Sequence, residues 1–305
     1  MPNLSAIILI ALGGPGSLEE VGPFMAAFMG RPAPPPVVSA IIERYKLIGG
    51  KSPLPEMVKA QAAALAKELG GNYLAYEGFR YSNPSIAESF DKAIKDGAQR
   101  VIALSMSPYA TEVTTGEYRN ACAGLGSKTT APLFIPSWHD NPLFIDAWVE
   151  KAVAGLAMFP SAIRGNAAVI FTSHSIPVRY IAAGDPYQKQ IEETVALVVA
   201  KAGIREWRIA WQSKGARATE PWIEPAVEPT LDKLAQDGHQ AVLEVPIGFT
   251  CDHMETLYDI DVVHRAHAVK LGIHFERAES LNTSPLFIKA LADVVKKRDN
   301  LLDAD

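Results

Sequence analysis

Cysteine is scarce in this chain. Only two cysteines, Cys122 and Cys251, occur among 305 residues. Two thiols cannot form the disulfide framework of a small secreted domain, and they are too few to ligate a four-thiolate iron–sulfur cluster. We therefore expect a reducing, cytoplasmic environment and no iron–sulfur cofactor.

Long hydrophobic runs and an excess of positive charge are also lacking. A membrane-spanning helix needs about 20 apolar residues, whereas the apolar run near the N-terminus covers only residues 6–12. That length is typical of a buried strand, and the run lacks the positively charged start of a signal peptide. Lysine plus arginine number 29 and aspartate plus glutamate number 34, which gives a net charge of −5. This charge balance gives no reason to expect nucleic acid as a partner.

What the sequence does contain is a series of short, uninterrupted apolar runs separated by helical patterns. Such runs are typical of strands buried on both faces of a parallel sheet that helices cover. The clearest runs occupy residues 6–12, 101–104, 168–171 and 241–245. Helical patterns occupy residues 56–69 and 191–201. The alternation predicts the α/β class. The chain length, at about 150 residues per domain, indicates two domains, although a single large α/β unit also fits.

One segment of the first half recurs in the second half. Residues 90–101 resemble residues 231–242 at a constant offset of 232 − 91 = 141, and they share Asp, Lys, Asp, Gly, Gln and Val. Each copy predicts a helix that ends at a glycine and is followed by a buried strand. We predict two similar halves, residues 1–160 and 161–305, each a parallel sheet flanked by helices. Chance similarity between helix–glycine–strand units is the alternative that the residues leave open.

Two such halves create a cleft, and ligands of α/β sheets bind beyond the carboxyl ends of the strands. His174 follows one apolar run and lies between Ser173 and Ser175. An imidazole there can accept a proton near neutral pH or ligate a metal. The residues alone leave open whether His174 is reactive or is a strand-end residue with local hydrogen bonds.

Acidic residues follow the run at 241–245. On an α-helix that begins near Asp252, the carboxylates of Asp252, Glu255 and Asp259 share one face. Such a stripe can guide a divalent cation or carry protons. Asp252 and Glu255 also have the spacing of a capping box, and acids are favourable in the first turn of a helix. Considered alone, these residues favour the capping interpretation.

Three further segments carry weaker signals. Residues 23–38 are rich in Met and Phe and end in prolines. They suit a flat apolar ligand or a membrane surface, although packing against the protein's own core is the commoner role. Residues 13–17 lack the glycine spacing of a phosphate-binding loop. His264 and His267 form a pair without further ligands, and we expect them to face solvent.

In combination, seven segments resemble the ferrochelatase family, the iron-inserting enzymes of haem synthesis. Each segment is weak by itself, but their order and spacing along nearly the whole chain are specific. They are LGGPGS at 12–17, RYKLIGGKSPL at 44–54, NPSI at 83–86, SHSIP at 173–177, GDPY at 184–187, WQS at 211–213 and DHMETLYD at 252–259. The resemblance replaces the capping interpretation of Glu255 with a role in the active site.

The resemblance implies two Rossmann-like, chelatase-type halves with a porphyrin bound in the cleft between them. It assigns His174 and Glu255 to the metal and the pyrrole nitrogens, with Fe(II) as a substrate and no resident cofactor. An acidic track would continue through Asp259, whereas Val263 stands where the family commonly has another acid. Five side chains would contact the porphyrin or its propionates: Leu12, Arg44, Tyr45, Ser52 and Tyr118.

The porphyrin itself stays open between two compounds. Residues 184–187 and 211–215 look like the branch that uses coproporphyrin III, whereas Leu12 is what users of protoporphyrin IX usually show. The alternatives are a cobalt or nickel chelatase of sirohydrochlorin-type rings, which tends to carry more histidines, and a non-catalytic tetrapyrrole-binding protein. We expect a monomer, with peripheral membrane contact through residues 23–38.

Overall fold

Two parallel sheets of four strands each organise the computed structural model, which describes residues 4–126, 131–214 and 219–303. Residue 215, the last residue of the segment 211–215 that was compared with users of coproporphyrin III, lies outside these ranges. The strands are β1 (Ser5–Ala11), β2 (Tyr73–Phe79), β3 (Arg100–Ser105), β4 (Leu133–Ile135), β5 (Ala167–His174), β6 (Trp207–Gln212), β7 (Ala241–Val245) and β8 (His274–Arg277). The sheet orders are β2-β1-β3-β4 and β6-β5-β7-β8.

Helices connect the strands and cover the sheets, as parallel pairing requires. The α-helices are α1 (Val21–Met29), α2 (Pro35–Leu47), α3 (Leu54–Leu69), α4 (Ile86–Lys95), α5 (Glu117–Cys122), α6 (Pro142–Ala157), α7 (Ser161–Arg164), α8 (Val178–Ala182), α9 (Tyr187–Ala202), α10 (Val227–Gln236), α11 (Arg265–Lys270) and α12 (Pro285–Asp303). Two π-helices follow β3 and β7, namely π1 (Glu112–Gly116) and π2 (Glu255–His264). No helix in the described ranges is long and apolar enough to cross a membrane.

The α/β prediction with two similar halves is confirmed. The four predicted apolar runs form β1, β3, β5 and β7, and the two sheets have the same strand order. Ser5 pairs with Arg100 in the first sheet, and Ala167 pairs with Ala241 in the second. The offset of 241 − 100 = 141 equals the offset of the repeated segment, so the sequence repeat corresponds to equivalent strands. The predicted boundary after residue 160 lies between α6 and α7 and stays a prediction.

The hydrophobic core explains why the central runs do not alternate with polar residues. Ile7 and Leu9 of β1 belong to the same buried cluster as Val169 and Phe171 of β5. The opposite faces of these strands pack into two separate clusters under the outer helices. Because both faces of each central strand are buried, each position along it favours an apolar residue. Helix α12 packs against both α3 and α6.

A charged pair is buried beneath the second sheet. His264 Nδ1 lies 3.1 Å from both carboxylate oxygens of Glu244, whose side chain is fully buried on β7. The expectation that His264 faces solvent is therefore wrong. Burial lowers the pKa of His264, but the negative charge of Glu244 outweighs it and holds the pKa above its ordinary value.

We predict that His264→Ala destabilises the protein by about 3–5 kcal/mol near pH 6, because it leaves the Glu244 carboxylate buried without its partner. Because folding raises the pKa of His264, the pair stabilises the folded protein fully at pH values below the unfolded-state pKa of about 6.5. This stabilisation is lost as the pH rises through the folded-state pKa. Urea denaturation at several pH values measures both effects. His267→Ala is the control, since His267 and Asp232 form a partly exposed pair worth about 0–1 kcal/mol. An H264A loss as small as that of H267A would contradict the prediction.

Candidate active site

A cleft of about 640 Å³ opens between the two sheets, at the carboxyl ends of their strands. Leu12 follows β1, Arg80 follows β2 and Ser107 follows β3, while His174 ends β5. Glu255, the first residue of π2, completes the wall beyond β7. Parallel strands end at the same edge of a sheet, so side chains that are far apart in sequence meet here.

His174 and Glu255 face each other in this cleft. The imidazole Nε2 of His174 lies 3.4 Å from Glu255 Oε1, and both side chains are about one-third exposed. His174 Nδ1 lies against the carbonyl oxygen of Ser175. That carbonyl accepts a hydrogen bond from the Nδ1–H group, so Nε2 is the nitrogen directed at the carboxylate and the cleft. The structure thus brings together the two residues that the sequence proposed as reactive.

The electrostatics of the pair favour its ionised form. Burial opposes the imidazolium, but the charge of Glu255 and the hydrogen bonds to Glu255 and Ser175 raise the pKa of His174 to about 9. Burial likewise opposes ionisation of Glu255, but His174 and His253 hold the pKa of its carboxyl well below the ordinary range. At neutral pH the two side chains are therefore an imidazolium beside a carboxylate.

Further side chains hold Glu255 in place. His253 Nε2 lies 3.1 Å from Glu255 Oε2, on the side of the carboxylate away from His174. Gln212, the last residue of β6, donates from Nε2 to the carbonyl oxygen of Glu255 at 2.9 Å. Gln212 is also the register partner of His174 in the sheet. One glutamine therefore links the position of Glu255 to the strand that carries His174.

The opposite wall contains four of the five side chains that the resemblance assigns to the porphyrin. Leu12, Tyr45, Ser52 and Tyr118 all line the cleft. Burial raises the pKa of both phenols above the ordinary tyrosine value, and the charge of Glu255 contributes at Tyr45. These tyrosines are therefore neutral hydroxyls, which can hydrogen-bond a ligand but cannot pair with its charge.

Arg44 and Asp259 lie outside the cleft lining. The Arg44 guanidinium packs over the ring of Tyr258, 5.2 Å from its centroid. Asp259 accepts a 2.5 Å hydrogen bond from Ser213 Oγ. Burial and the charge of Glu255 raise the pKa of Asp259, although the Ser213 hydrogen bond lowers it. Asp259 thus lies one π-helical turn behind Glu255, and both assigned roles stay predictions.

The capping interpretation of Asp252 and Glu255 is wrong. The helix begins at Glu255, and it is a π-helix rather than an α-helix. Asp252 precedes it and accepts hydrogen bonds from Asn282, Ser280 and Arg277. Glu255 is directed at two histidines instead of a backbone N–H group. Asp252 therefore does not belong to the acidic face of the helix, and the α-helical spacing used to place it there does not apply.

Several cleft residues were missed from the sequence. Arg80 and Glu117 form an ion pair across 3.2 Å within the lining. Arg80 directly follows β2. Because ligands bind beyond the carboxyl ends of parallel strands, recognising β2 in the sequence would have identified Arg80 as a candidate. The Trp222 ring lies 6.3 Å from the His174 ring and closes the cleft on that side. His253 lies two residues before Glu255 in the sequence, but no motif or residue spacing indicated a role for it.

The Met- and Phe-rich segment has a definite place. Phe24, Met25 and Phe28 of α1 line the cleft, and Ile41 of α2 lines it beside them. Phe28 is 48% exposed and packs edge-on against Tyr81. The segment therefore forms an apolar lip at the cleft mouth. Flat apolar ligands are suited to such a lip.

No three His, Cys, Asp or Glu side chains are arranged as a ready-made ion site anywhere in the ranges 4–126, 131–214 and 219–303. One imidazole and one carboxylate at the cleft surface could supply two ligands to an ion. Such a site suits an ion that has to move on rather than one held as a structural cofactor.

The Ferrochelatase family model matches residues 4–299 of this chain. The chain belongs to the ferrochelatase family. The ferrochelatase of Citrifermentans bemidjiense is 38% identical over 97% of this chain and 99% of its own length. The coproporphyrin III ferrochelatase of a Geobacillus strain is 33% identical over 97% of this chain and 98% of its own. The resemblance inferred from the seven segments is confirmed.

Solved structures confirm the fold beyond the ferrochelatase family. SirB from Bacillus subtilis, solved with Fe³⁺, superposes with a TM-score of 0.62 at 12% identity, covering 96% of this chain and 94% of that one. At so low an identity the likeness shows the chelatase-type fold alone. It supports the architecture of two sheets with a cleft between them.

We predict that Glu255→Gln lowers the pKa of His174 from about 9 to near or below the ordinary histidine value of about 6.5. The substitution removes the charge that stabilises the imidazolium and leaves the opposing effect of burial. His174 is then largely neutral at pH 7 instead of protonated. An NMR titration of the His174 ring measures the pKa. Glu117→Gln, on the other side of the cleft, should leave it unchanged, and a pKa still near 9 in E255Q would contradict the assignment.

Proposed function

We propose that this protein is a ferrochelatase that inserts Fe(II) into a porphyrin, coproporphyrin III or protoporphyrin IX, in haem biosynthesis. The observation that carries the proposal is the approach of His174 Nε2 to Glu255 Oε1 at 3.4 Å inside a cleft between the two halves. Family membership over nearly the whole chain supports the same conclusion.

The shape of the cleft supports a flat, apolar ligand. Its volume of about 640 Å³ lies within the range of about 300–1,000 Å³ that is usual for small-molecule sites. A planar porphyrin keeps its pyrrole lone pairs away from an incoming ion. Contacts along two opposing walls can bend the ring and expose those lone pairs, and remote binding energy then offsets the strain.

His174 and Glu255 have different roles in the reaction at the centre of the porphyrin ring. The porphyrin must lose two pyrrole N–H protons as Fe(II) enters. His174 Nε2 accepts them one at a time and releases each to solvent, to which the imidazole is about one-third exposed. Glu255 takes part in metal delivery or proton release. An incoming dication cancels the negative charge that holds the proton on His174. The imidazolium therefore releases its proton to solvent when the metal substrate arrives and becomes a free base.

The experiment supplies purified protein with protoporphyrin IX and coproporphyrin III separately, each with Fe(II), and follows metalloporphyrin formation by absorbance. Insertion into either porphyrin supports the proposal, and the faster reaction identifies the substrate. Sirohydrochlorin with Co(II) or Ni(II) tests the alternative chelatase. Porphyrin binding without insertion would instead indicate a tetrapyrrole-binding protein and would refute the enzymatic role.

We further propose a monomer without a resident cofactor, located in the cytoplasm. Both cysteines are buried free thiols, and burial raises the pKa of Cys251 to about 12. Such thiols are inert and suit a reducing compartment. The net charge of −5 supports the expectation that nucleic acid is not a partner.

We predict that His174→Ala lowers kcat for iron insertion by on the order of 10²-fold or more, as for a positioned general base. Porphyrin binding should persist, because the apolar walls of the cleft are unchanged. Steady-state kinetics measures the first effect and fluorescence quenching the second. His139→Ala is the control, since His139 pairs with Glu193 away from the cleft. Near-normal iron insertion by H174A would refute the role of His174.

We propose that the lip formed by residues 23–38 also contacts membranes peripherally, and we predict that Phe24→Ser with Phe28→Ser abolishes this contact. Phe28 is exposed at the cleft mouth, where an aromatic ring can enter the boundary between headgroups and acyl chains. Flotation with vesicles of phosphatidylcholine and phosphatidylglycerol measures the bound fraction. Val269→Ser, at an exposed residue of α11, is the control. Equal flotation of the wild type and the double variant would end the idea.

A further inference from the structure

The residue that carries the reactive carboxylate lies at the start of a helix without a side-chain N-cap. Glu255 is the first residue of π2, and the preceding residue, Met254, provides no side-chain cap. π-Helices are rare and occur mostly as short segments at functional sites. Thr256 of π2 bonds to the backbone of His253 at this point, and further contacts come from outside the helix.

Arg277 supplies such contacts from the end of β8. Its Nε and Nη2 atoms donate to the two carboxylate oxygens of Asp261 at 2.9 and 3.0 Å, a bidentate pair. Its Nη1 atom donates to Asp252 Oδ1 at 3.1 Å. The Arg277 side chain is only 13% exposed. All three guanidinium nitrogens are thus engaged, and Asp252 and Asp261 lie on either side of Glu255 in sequence.

Asp252 is itself fixed by the loop that follows β8. Its carboxylate accepts hydrogen bonds from Ser280 Oγ at 2.7 Å and from Asn282 Nδ2 at 2.9 Å. The backbone N–H of Asp252 donates to Asn282 Oδ1 at 2.9 Å. The segment before Glu255 is therefore attached to the β8 loop at several points. Arg277 joins this attachment to Asp261, six residues beyond Glu255.

We propose that Arg277 is a positioning residue, which sets the distance between Glu255 and His174 by clamping the chain at Asp252 and at Asp261. It acts through these two carboxylates and does not itself line the cleft. The planar fork of arginine can bind three carboxylate oxygens at once, whereas a lysine ammonium is a single point charge. Lysine can therefore retain the charge but not the clamp.

The inference rests on the proposed iron insertion. A misplacement of about 1 Å at a reacting group costs on the order of 10²-fold in rate. We expect Arg277→Lys to lower kcat by at least about tenfold with an unchanged KM for porphyrin. Asp261→Asn, which keeps the shape but weakens one anchor, should lower kcat in the same direction. If R277K does not fold, D261N tests the clamp in its place.

The control is Arg265→Lys. Arg265 also lies beside π2, 3.7 Å from Asp261, but it does not reach Asp252. R265K should keep wild-type kcat, with melting temperatures compared among all variants. The His174 ring signal in NMR spectra at pH 7, without metal or porphyrin, gives a readout independent of activity. It should shift in R277K and stay in place in R265K.

The outcomes are distinct. Unchanged kcat and an unchanged His174 signal in folded R277K would overturn the clamp. A parallel loss of kcat, porphyrin binding and melting temperature would also overturn it, because that pattern indicates a structural role only. A wild-type protein that inserts no iron would refute the proposed function, whereas a shifted His174 signal in R277K would still support the clamp.

Discussion

The placement of His174 against Glu255 depends on one constraint, which is that neighbouring parallel strands end at the same edge of a sheet. β5 lies between β6 and β7. His174 ends β5, Gln212 ends β6 beside it, and the chain leaving β7 leads to Glu255. Gln212 then donates to the carbonyl oxygen of Glu255. The order of these three strands therefore determines where the His174 imidazole and the Glu255 carboxylate meet in the cleft.

The two halves form a symmetric scaffold with an asymmetric site. Ser5 and Ala167 occupy equivalent registers, so the equivalent of His174 is residue 174 − 162 = 12, which is Leu12. A π-helix follows β3 as well as β7, and Thr114 of π1 also lines the cleft. The second half therefore supplies the imidazole–carboxylate pair, and the first half supplies an apolar and hydroxyl-bearing surface across from it. In the proposed reaction, one face of the porphyrin would meet the pair and the other face would meet this surface.

The four strands that the sequence predicts are the central ones, and the four missed strands are all edges. Edge strands bury less surface, so polar residues such as Glu77 interrupt the apolar run in β2. The strand-end rule located His174, but α-helical spacing misplaced Asp252, because nothing in the sequence signals a π-helix. His264 was assigned to solvent, although the single acid in the buried run 241–245, Glu244, is the partner that could have revealed its burial.

The clamp at Arg277 also affects the number of carboxylates near Glu255 that are available to bind a metal ion. Fe(II) as a substrate has to leave the protein for the ring, and each added carboxylate ligand would strengthen its binding to the protein. Asp252 and Asp261 lie close to Glu255 in sequence, yet Arg277 engages both. Hydrogen bonds from Arg277, Ser280 and Asn282 already occupy their carboxylate oxygens, so they are poor ligands for an ion in the cleft. The same guanidinium that positions Glu255 therefore leaves it as a single exposed carboxylate beside His174, which favours transfer over retention.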